Sequence, residues 1–300
     1  MSNATTATLL LVGLSFCWGL SWSAMRIALD EVTPWGMRLL GYSIGAATLL
    51  ILLKAQGRSL AIPGGRNLLH VFIAALLLVV SFGIAGTFAQ LMANTSRVII
   101  VNYSMPIWSS LMAFFILHER INARAAIGLA LCIAGLSVLV YPVAATSIQE
   151  PIGLLLALCC AWGWAAGTVY MKWARIKGDL LAITFWQIVI GIVAFAVGYL
   201  MFVGLPKFEP LQWRTWGGLL FNGVLGTGIA YFIWFNIIGR LSTAAASLGS
   251  LANPVVGVIG AAILLGDRPT IPDIVGFALI FSAAACVLIP QREKPPAQAA

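Results

Sequence analysis

Long apolar runs alternate with short polar links along the whole chain. Most runs approach the roughly 20 residues that an α-helix needs to cross the hydrocarbon core of a bilayer. The links carry charged residues, proline or glycine, and they are too short to hold a separate soluble domain. The ten predicted spans are 4–25, 34–53, 69–92, 98–117, 125–143, 152–173, 180–203, 216–238, 244–265 and 274–289. This pattern predicts an all-α polytopic membrane protein with ten transmembrane helices.

The composition agrees with a membrane protein. Of the 300 residues, 61% are hydrophobic and 9% are charged, whereas about a quarter of the residues in a soluble domain are charged. Lipid must therefore cover most of the apolar surface, so we expect the lipid bilayer as a partner. The net charge of +8 lies mostly in the links, where it sets the orientation in the membrane, and we expect no nucleic acid as a partner.

The distribution of Lys and Arg over the links predicts the orientation. If the N-terminus is inside, eleven of these residues fall in cytoplasmic segments and five in outer segments. Because positive charge favours the cytoplasmic side, we expect a multi-pass protein of the bacterial inner membrane with both termini in the cytoplasm. Trp22 near the outer face and Trp234 near the inner face fit the aromatic belts at the two interfaces. Residues 1–8 contain no basic segment typical of a signal peptide, so the first run should remain as a helix.

The chain contains an internal repeat. A shift of 148 residues places Pro106 on Pro254, and it places the Glu-Arg pair 119–120 on the Asp-Arg pair 267–268. Apolar composition alone produces many matched leucines, but it does not easily produce matched prolines and matched acid–arginine pairs. The sequence therefore consists of two similar halves.

Each half contains five spans, an odd number, so the second half enters the membrane from the opposite side. We expect two inverted five-helix repeats at residues 1–145 and 146–290, followed by a disordered cytoplasmic tail at 291–300. A shift of 144 residues also places Trp18 on Trp162. Inverted repeats are typical of secondary transporters, which bind a substrate near the middle of the bilayer and expose it to each side in turn.

These features resemble those of a known family. Ten helices as five plus five, a proline in the fourth and ninth helices, and an acid–arginine pair after each are similar to the ten-helix EamA branch of the drug/metabolite transporter superfamily. The segment Val101-Asn102-Tyr103-x-x-Pro106 resembles the aromatic amino acid exporters of that branch, although Met105 stands where they carry Trp. The resemblance implies a small-molecule exporter and not an enzyme.

The prolines indicate where a substrate would bind. A proline inside a helix leaves the carbonyl four residues earlier without its hydrogen bond; this carbonyl belongs to Asn102 for Pro106 and to Ser250 for Pro254. Freed groups are tolerated at membrane depth where they face protein or a water-filled cavity. We therefore expect both helices to border one shared cavity. The alternative is that the prolines only kink the helices and that the polar residues hold helices together.

Other side chains inside the spans complete the candidate site. Tryptophans away from the interfaces need a partner for the indole N–H, and they either line the cavity or pack helices together. Arg38 either pairs with a substrate carboxylate, with Gln187 as its approximate counterpart in the other half, or snorkels to the outer interface. The candidate substrate-binding residues are Trp18, Arg38, Phe82, Asn102, Tyr103, Trp162, Ser247, Ser250 and Asn253, with Pro106 and Pro254 as helix hinges.

Several features of other protein classes are absent from the sequence. No Asp or Glu lies in the middle of a predicted span, and the five cysteines and two histidines show no metal-ligand spacing. No Walker motif is present, so ATP does not drive transport directly. We therefore expect no cofactor, no bound metal and no enzymatic activity.

The leading hypothesis is a secondary transporter that exports amino acids, aromatic and other neutral ones, across the inner membrane by alternating access. A small zwitterion suits a cavity of aromatic and uncharged polar groups. The alternatives are export of another small metabolite or drug and, more remotely, a membrane protein without transport activity such as a lipid-handling module. The sequence leaves open the substrate range, the direction, the coupling by facilitation or protons, and the oligomeric state, which is compatible with a monomer.

Overall fold

The computed structural model describes residues 3–119, 123–144, 147–206, 210–237 and 243–289, with side chains described except at 3–8, 143, 237 and 243–250. Within these residues the regular secondary structure is entirely helical. Nine helices of this described part are long and apolar enough to cross a membrane, and the ninth span adds a shorter apolar stretch, Leu251–Leu265. The predicted all-α polytopic fold is confirmed.

Ten spans, numbered in chain order, begin and end within a few residues of the predicted positions. Short links join them, and the predicted tail at 291–300 lies outside the described residues. Spans 1 to 10 are Asn3–Ala28, Pro34–Ala55, Arg66–Met92, Thr95–Leu117, Ala123–Ala144, Gln149–Ala174, Leu180–Phe202, Trp213–Asn236, Thr243–Leu265 and Ile271–Leu288.

Polar residues directly before a span determine where several helices begin. The Thr33 hydroxyl accepts a 3.2 Å hydrogen bond from the amide of Gly36, and Pro34 occupies the first helical position of span 2. Asp179 accepts a 2.8 Å hydrogen bond from the amide of Leu181 at the start of span 7. These caps satisfy amides that have no partner inside the helix. Proline is favoured at the first position because its nitrogen has no hydrogen to leave unpaired.

Spans 3 and 8 each contain a stretch of π-helix near the middle of the bundle. The stretch covers Leu76–Ser81 in span 3 and Phe221–Ile229 in span 8. The 148-residue shift places the first stretch within the second. Short π segments are rare and occur frequently at functional sites. Because both halves contain one at the same position, the irregularity belongs to the repeated unit.

The packing of the spans follows the twofold relation that the sequence repeat predicts. Span 1 packs on span 9 as span 6 packs on span 4, and span 2 packs on span 8 as span 7 packs on span 3. Span 3 packs on span 6 as span 8 packs on span 1, while spans 2 and 7, and spans 5 and 10, contact their own equivalents. Because equivalent helices are five spans apart, the two halves cross the membrane in opposite directions. The inverted repeat is confirmed.

Glycines allow the closest of these approaches. A Cβ atom on Gly45 in span 2 would lie 2.6 Å from Cγ2 of Thr227 in span 8. A Cβ atom on Gly191 in span 7 would lie 2.5 Å from Cγ1 of Val79 in span 3. Both neighbours lie in the π segments, so the two halves use the same close contact. Helices in lipid associate through close packing of this kind, since burial of apolar surface gives little gain there.

We call the two ends of the bundle the Arg97 end and the Glu119 end, after one residue at each. The Arg97 end contains the links between spans 1 and 2, 3 and 4, 5 and 6, 7 and 8, and 9 and 10. The Glu119 end contains the other links, among them the one that follows span 4. At the Glu119 end, the ammonium group of Lys172 pairs with the carboxylate of Glu119, and both side chains are about half exposed.

A cluster of ion pairs joins three spans at the Arg97 end. The Arg97 guanidinium in span 4 lies 2.5 Å from a carboxylate oxygen of Asp273 in span 10 and 2.6 Å from one of Glu150 in span 6. The amide and the hydroxyl of Ser96 each donate a 2.9 Å hydrogen bond to Asp267, in the link before span 10. We call these five residues the Arg97 cluster. It holds spans 4, 6 and 10 together.

The Arg97 cluster should stabilise the protein. Asp273→Asn removes a charge that faces the partly buried guanidinium of Arg97, so the free energy of unfolding should fall by about 1–3 kcal/mol. Asp30→Asn is the matched control, because Asp30, in the turn after span 1, pairs with Arg26 in an exposed ion pair, and such pairs contribute little. Thermal melting of both purified variants in detergent makes the comparison. Equal melting temperatures for the two variants would contradict this role of the cluster.

Candidate functional site

A cavity of about 800 Å³ lies between the two halves and is bordered by residues of spans 1–4 and 6–10. Small-molecule sites are usually about 300–1,000 Å³. At one limit of the cavity, Trp22 and Met25 are only 6% and 2% exposed. At the other limit, the side chains of Glu119 and Lys172 are 48% and 65% exposed. The cavity therefore opens at the Glu119 end and is closed at the Arg97 end.

The Arg97 cluster lies at the closed end. A second hollow of about 470 Å³ begins on its other side, and it is strongly polar, with Arg26, Gln90, Glu150 and Arg214 among its bordering residues. Glu150 and Asp267 of the cluster border this second hollow, and no residue of the cluster borders the large cavity.

Most of the candidate residues border the large cavity. Ser247 and Ser250 lie in the helix of span 9, but their side chains are outside the described residues. Trp162 is the one described candidate that does not border the cavity. The cavity lining includes Trp18, Arg38, Phe82, Asn102, Tyr103, Asn253, Pro106 and Pro254.

The expected cavity position of Trp162 is wrong. Its side chain is 44% exposed on the outer surface of the bundle, and its ring centroid lies 5.3 Å from that of Trp108. Trp164 borders the cavity instead, with its ring centroid 5.2 Å from that of Phe82. Two residues along an α-helix turn a side chain by about 200°, so Trp162 and Trp164 point to opposite sides of span 6. The sequence match of Trp162 to Trp18 does not extend to their environments.

The two hinge prolines occupy different positions in their helices. Pro254 lies inside the helix of span 9. Span 4, by contrast, breaks at Tyr103 and Ser104, and a new helix begins at Met105, so Pro106 lies in the first turn of that helix and not in a helix interior. The Ser104 hydroxyl donates a 2.6 Å hydrogen bond to the carbonyl of Val101. The side chain thus adds to the backbone hydrogen bond that the Ser104 amide donates to the same carbonyl at 3.1 Å.

Arg38 points into the bundle and does not snorkel to the interface. The residue is 5% exposed and borders the cavity. Its Nε donates hydrogen bonds to the Thr87 hydroxyl at 2.5 Å and to the Gly83 carbonyl at 3.1 Å. Its guanidinium carbon lies 5.4 Å from the centroid of the Tyr42 ring. Two neighbours in span 3 and one ring in span 2 thus fix the position of this charge.

Aromatic rings form much of the cavity wall. The Trp18 centroid lies 5.6 Å from that of Trp234 and 6.2 Å from that of Tyr231, and the Trp22 centroid lies 6.0 Å from that of Phe82. The predicted position of Trp22 and Trp234 in interfacial belts is wrong, because both border the cavity. Trp22 follows Trp18 by four residues and so shares its helical face. That spacing was the signal that could have identified it.

Buried amides supply most of the polar groups of the cavity. Asn102, Asn253 and Gln187 are 1%, 4% and 3% exposed and border it. Asn222 also borders the cavity and donates a 3.0 Å hydrogen bond to the Ser21 carbonyl. Gln187 borders the same cavity as Arg38, its approximate counterpart in the other half. The polar part of the wall is therefore largely uncharged.

Charged groups and metal ligands are scarce in the described wall. Its charged residues are Arg38 in the deep part and the Glu119–Lys172 pair at the opening. No group of three or more His, Cys, Asp or Glu residues that could hold a metal ion occurs in the described part of the chain. Chemically, this arrangement suits binding of a small molecule with apolar and polar parts, and it offers no catalytic cluster among these residues.

Comparisons with known proteins agree with this architecture. The sequence pattern of the EamA-like transporter family matches residues 5–141 and residues 151–289, once in each half. The "Uncharacterized transporter YoaV" of Bacillus subtilis (strain 168) is 25% identical over 90% of this chain and 92% of its own length. A "Probable amino-acid metabolite efflux pump" of Escherichia coli (strain K12) is 24% identical over 88% of this chain and 89% of its own.

A solved structure shows the same fold. A crystal structure that is 21% identical in sequence superposes with a TM-score of 0.66 and covers 94% of this chain and 96% of its own. The family match extends over nearly the whole chain and repeats in the two halves that the structure relates to each other. The resemblance noted in the sequence is thus confirmed, and the chain belongs to the EamA-like transporter family.

Proposed function

We propose that this protein is a secondary transporter that exports amino acids, aromatic and other neutral ones, by alternating access. The observation that carries the proposal is the cavity between the two halves. Aromatic rings and buried amides form its wall, and it is open at one end and closed at the other. A relative of similar length is named a probable amino-acid metabolite efflux pump. We further propose that the protein lies in a bacterial inner membrane with both termini in the cytoplasm, so that the cavity of this state opens to the cytoplasm.

The chemistry of the wall favours amino acids over other common cargoes. Sugar phosphates require several Lys or Arg side chains for the phosphate, and the described wall has one such group in its deep part, Arg38. Organic cations without a carboxylate require a buried acid, and the one carboxylate of the described wall, Glu119, pairs with Lys172 at the opening. A zwitterion can use the arginine, the amides and the rings together.

Alternating access requires that the closed end can open. The Arg97 cluster joins spans 4, 6 and 10 at that end, so its ion pairs must separate when the cavity faces the other side. The wide opening at the Glu119 end must close at the same time. The inverted repeat gives a basis for this exchange, since each half can adopt the conformation of the other.

Reconstituted protein should transport amino acids. We expect liposomes that contain the purified protein to accumulate labelled phenylalanine or another neutral amino acid faster than liposomes without it. The measurement is protein-dependent flux, with a panel of small and aromatic amino acids. Flux of an unrelated metabolite or drug with no flux of any amino acid would favour the alternative cargo and contradict the proposal.

Two neighbouring tryptophans provide a test of the site with a matched control. Trp164→Ala removes a ring of the cavity wall, so the KM for an aromatic amino acid should rise about two- to tenfold. Trp162→Ala removes a ring of the same size two residues away on the outer surface, and the KM should not change. Initial rates in liposomes at matched protein content measure both. Equal effects of the two substitutions would show that the cavity is not the transport site.

A further inference from the structure

Arg38 is a buried cation that faces no carboxylate among the described residues. An unpaired charge inside a membrane protein is costly and usually has a function. The Tyr42 ring offsets only part of this cost, because an aromatic face is a weaker partner than an anion. The described carboxylates contact other groups: Asp30 contacts Arg26, Glu31 contacts Thr215, Glu119 contacts Lys172, Glu150 and Asp273 contact Arg97, Asp179 contacts Arg58, and Asp267 contacts Ser96.

One nitrogen of the Arg38 guanidinium has hydrogen-bond partners, and another has none in the described part of the protein. Its Nε is held by Thr87 and Gly83, whereas its Nη2 is buried and has no hydrogen-bond partner in the described part of the protein. Nη2 lies beside Gly86 of span 3, where a Cβ atom would be 3.6 Å from this nitrogen. Arg38 borders the cavity, so its guanidinium can pair with a carboxylate that enters there, and a carboxylate is the group that pairs best with a guanidinium.

We propose that Arg38 makes the cavity a carboxylate site, in which the carboxylate of the transported molecule, and not its amino group, determines binding. The substrate class is then a monocarboxylate with one apolar group, with or without an amino group. This proposal rests on the proposed function in one respect, that the cavity is the transport site.

The groups near Arg38 fit the apolar part of such a molecule. Trp22 lies beside Gly86, with its ring edge 3.6 Å from the position of a Cβ there. The Phe82 ring packs on that of Trp22, and both border the cavity. A carboxylate paired with Arg38 therefore places the adjoining hydrocarbon or aromatic group near these rings. The rings add apolar contact without adding charge.

An amino group meets weaker partners in the described wall. Asn102 borders the cavity, and the carbonyl oxygen of its side chain has no hydrogen-bond partner in the described part. This oxygen is neutral, and a hydrogen bond between two charged groups is stronger than one to a neutral acceptor. The charge of Arg38 also repels an ammonium ion that brings no carboxylate with it. The amino group thus adds to binding without being required.

The experiment compares three ligands that differ in one group each. Titration calorimetry on the purified protein in detergent measures the Kd of phenylalanine, of 3-phenylpropionate, which lacks the amino group, and of phenethylamine, which lacks the carboxylate. We expect both carboxylates to bind, and phenethylamine to bind at least about tenfold more weakly. Calorimetry avoids the passive leak of the last two compounds through lipid.

Variants of Arg38 test the assignment to this residue. Arg38→Gln should raise the Kd of 3-phenylpropionate about ten- to a hundredfold. Arg38→Lys keeps the charge without the planar fork and should lie between that variant and the unmodified protein. Arg26→Gln, which removes an exposed arginine near the Arg97 end, is the control and should leave the Kd unchanged. If Arg38→Gln does not fold, the three ligands and Arg38→Lys still provide the test.

The outcomes separate this proposal from the proposed function. Equal affinities for phenethylamine and 3-phenylpropionate, or an unchanged Kd in folded Arg38→Gln, would overturn the carboxylate site even if phenylalanine is transported. Binding of carboxylates that depends on Arg38, together with no flux of any amino acid in liposomes, would support the carboxylate site and contradict amino acid export.

Discussion

The satisfaction of backbone hydrogen bonds in a medium without water is the constraint on which this structure depends. Helices meet it throughout the described spans, and the departures lie beside the cavity. At each departure a hydroxyl group bonds to a backbone carbonyl: Ser104 at the break in span 4, Ser81 in the π segment of span 3 and Thr227 in that of span 8. The irregular backbone that widens the bundle is thus stabilised locally.

The cost of an uncompensated charge away from water explains why the partly buried Arg97 and the buried Arg38 have different roles. Arg97 has a carboxylate on each of two sides, from Asp273 and Glu150, so its charge is compensated and it holds three spans together. Arg38 has only neutral partners in the described part, the Thr87 hydroxyl and the Gly83 carbonyl, and one of its nitrogens remains unpaired. One arginine is therefore structural, whereas the other is available to a ligand that brings a negative charge.

The sequence predicted the fold more completely than the site. The lengths of the apolar runs were sufficient to predict ten spans, because the bilayer sets the length of a span. The matched prolines and the odd number of spans in each half were sufficient to predict an inverted repeat, because they depend only on the repeat and on chain direction. The side of a helix on which a tryptophan lies depends on packing, so the sequence match favoured Trp162 while Trp164 borders the cavity. The π segments were not predictable, since they follow from contacts between spans and not from local residue preference.

The two halves have the same fold but not the same side chains, and this difference sets which state is favoured. The 148-residue shift places Ser96 and Arg97 on Ala244 and Ala245, so the second half has no equivalent of the residues that hold the Arg97 end closed. Asp267 binds Ser96 in that closed end, whereas its counterpart Glu119 pairs with an exposed lysine at the opening. A repeated fold provides two states of similar shape, and their relative free energy follows from contacts present in only one of them. The ion pairs of the Arg97 cluster therefore stabilise the state that opens at the Glu119 end.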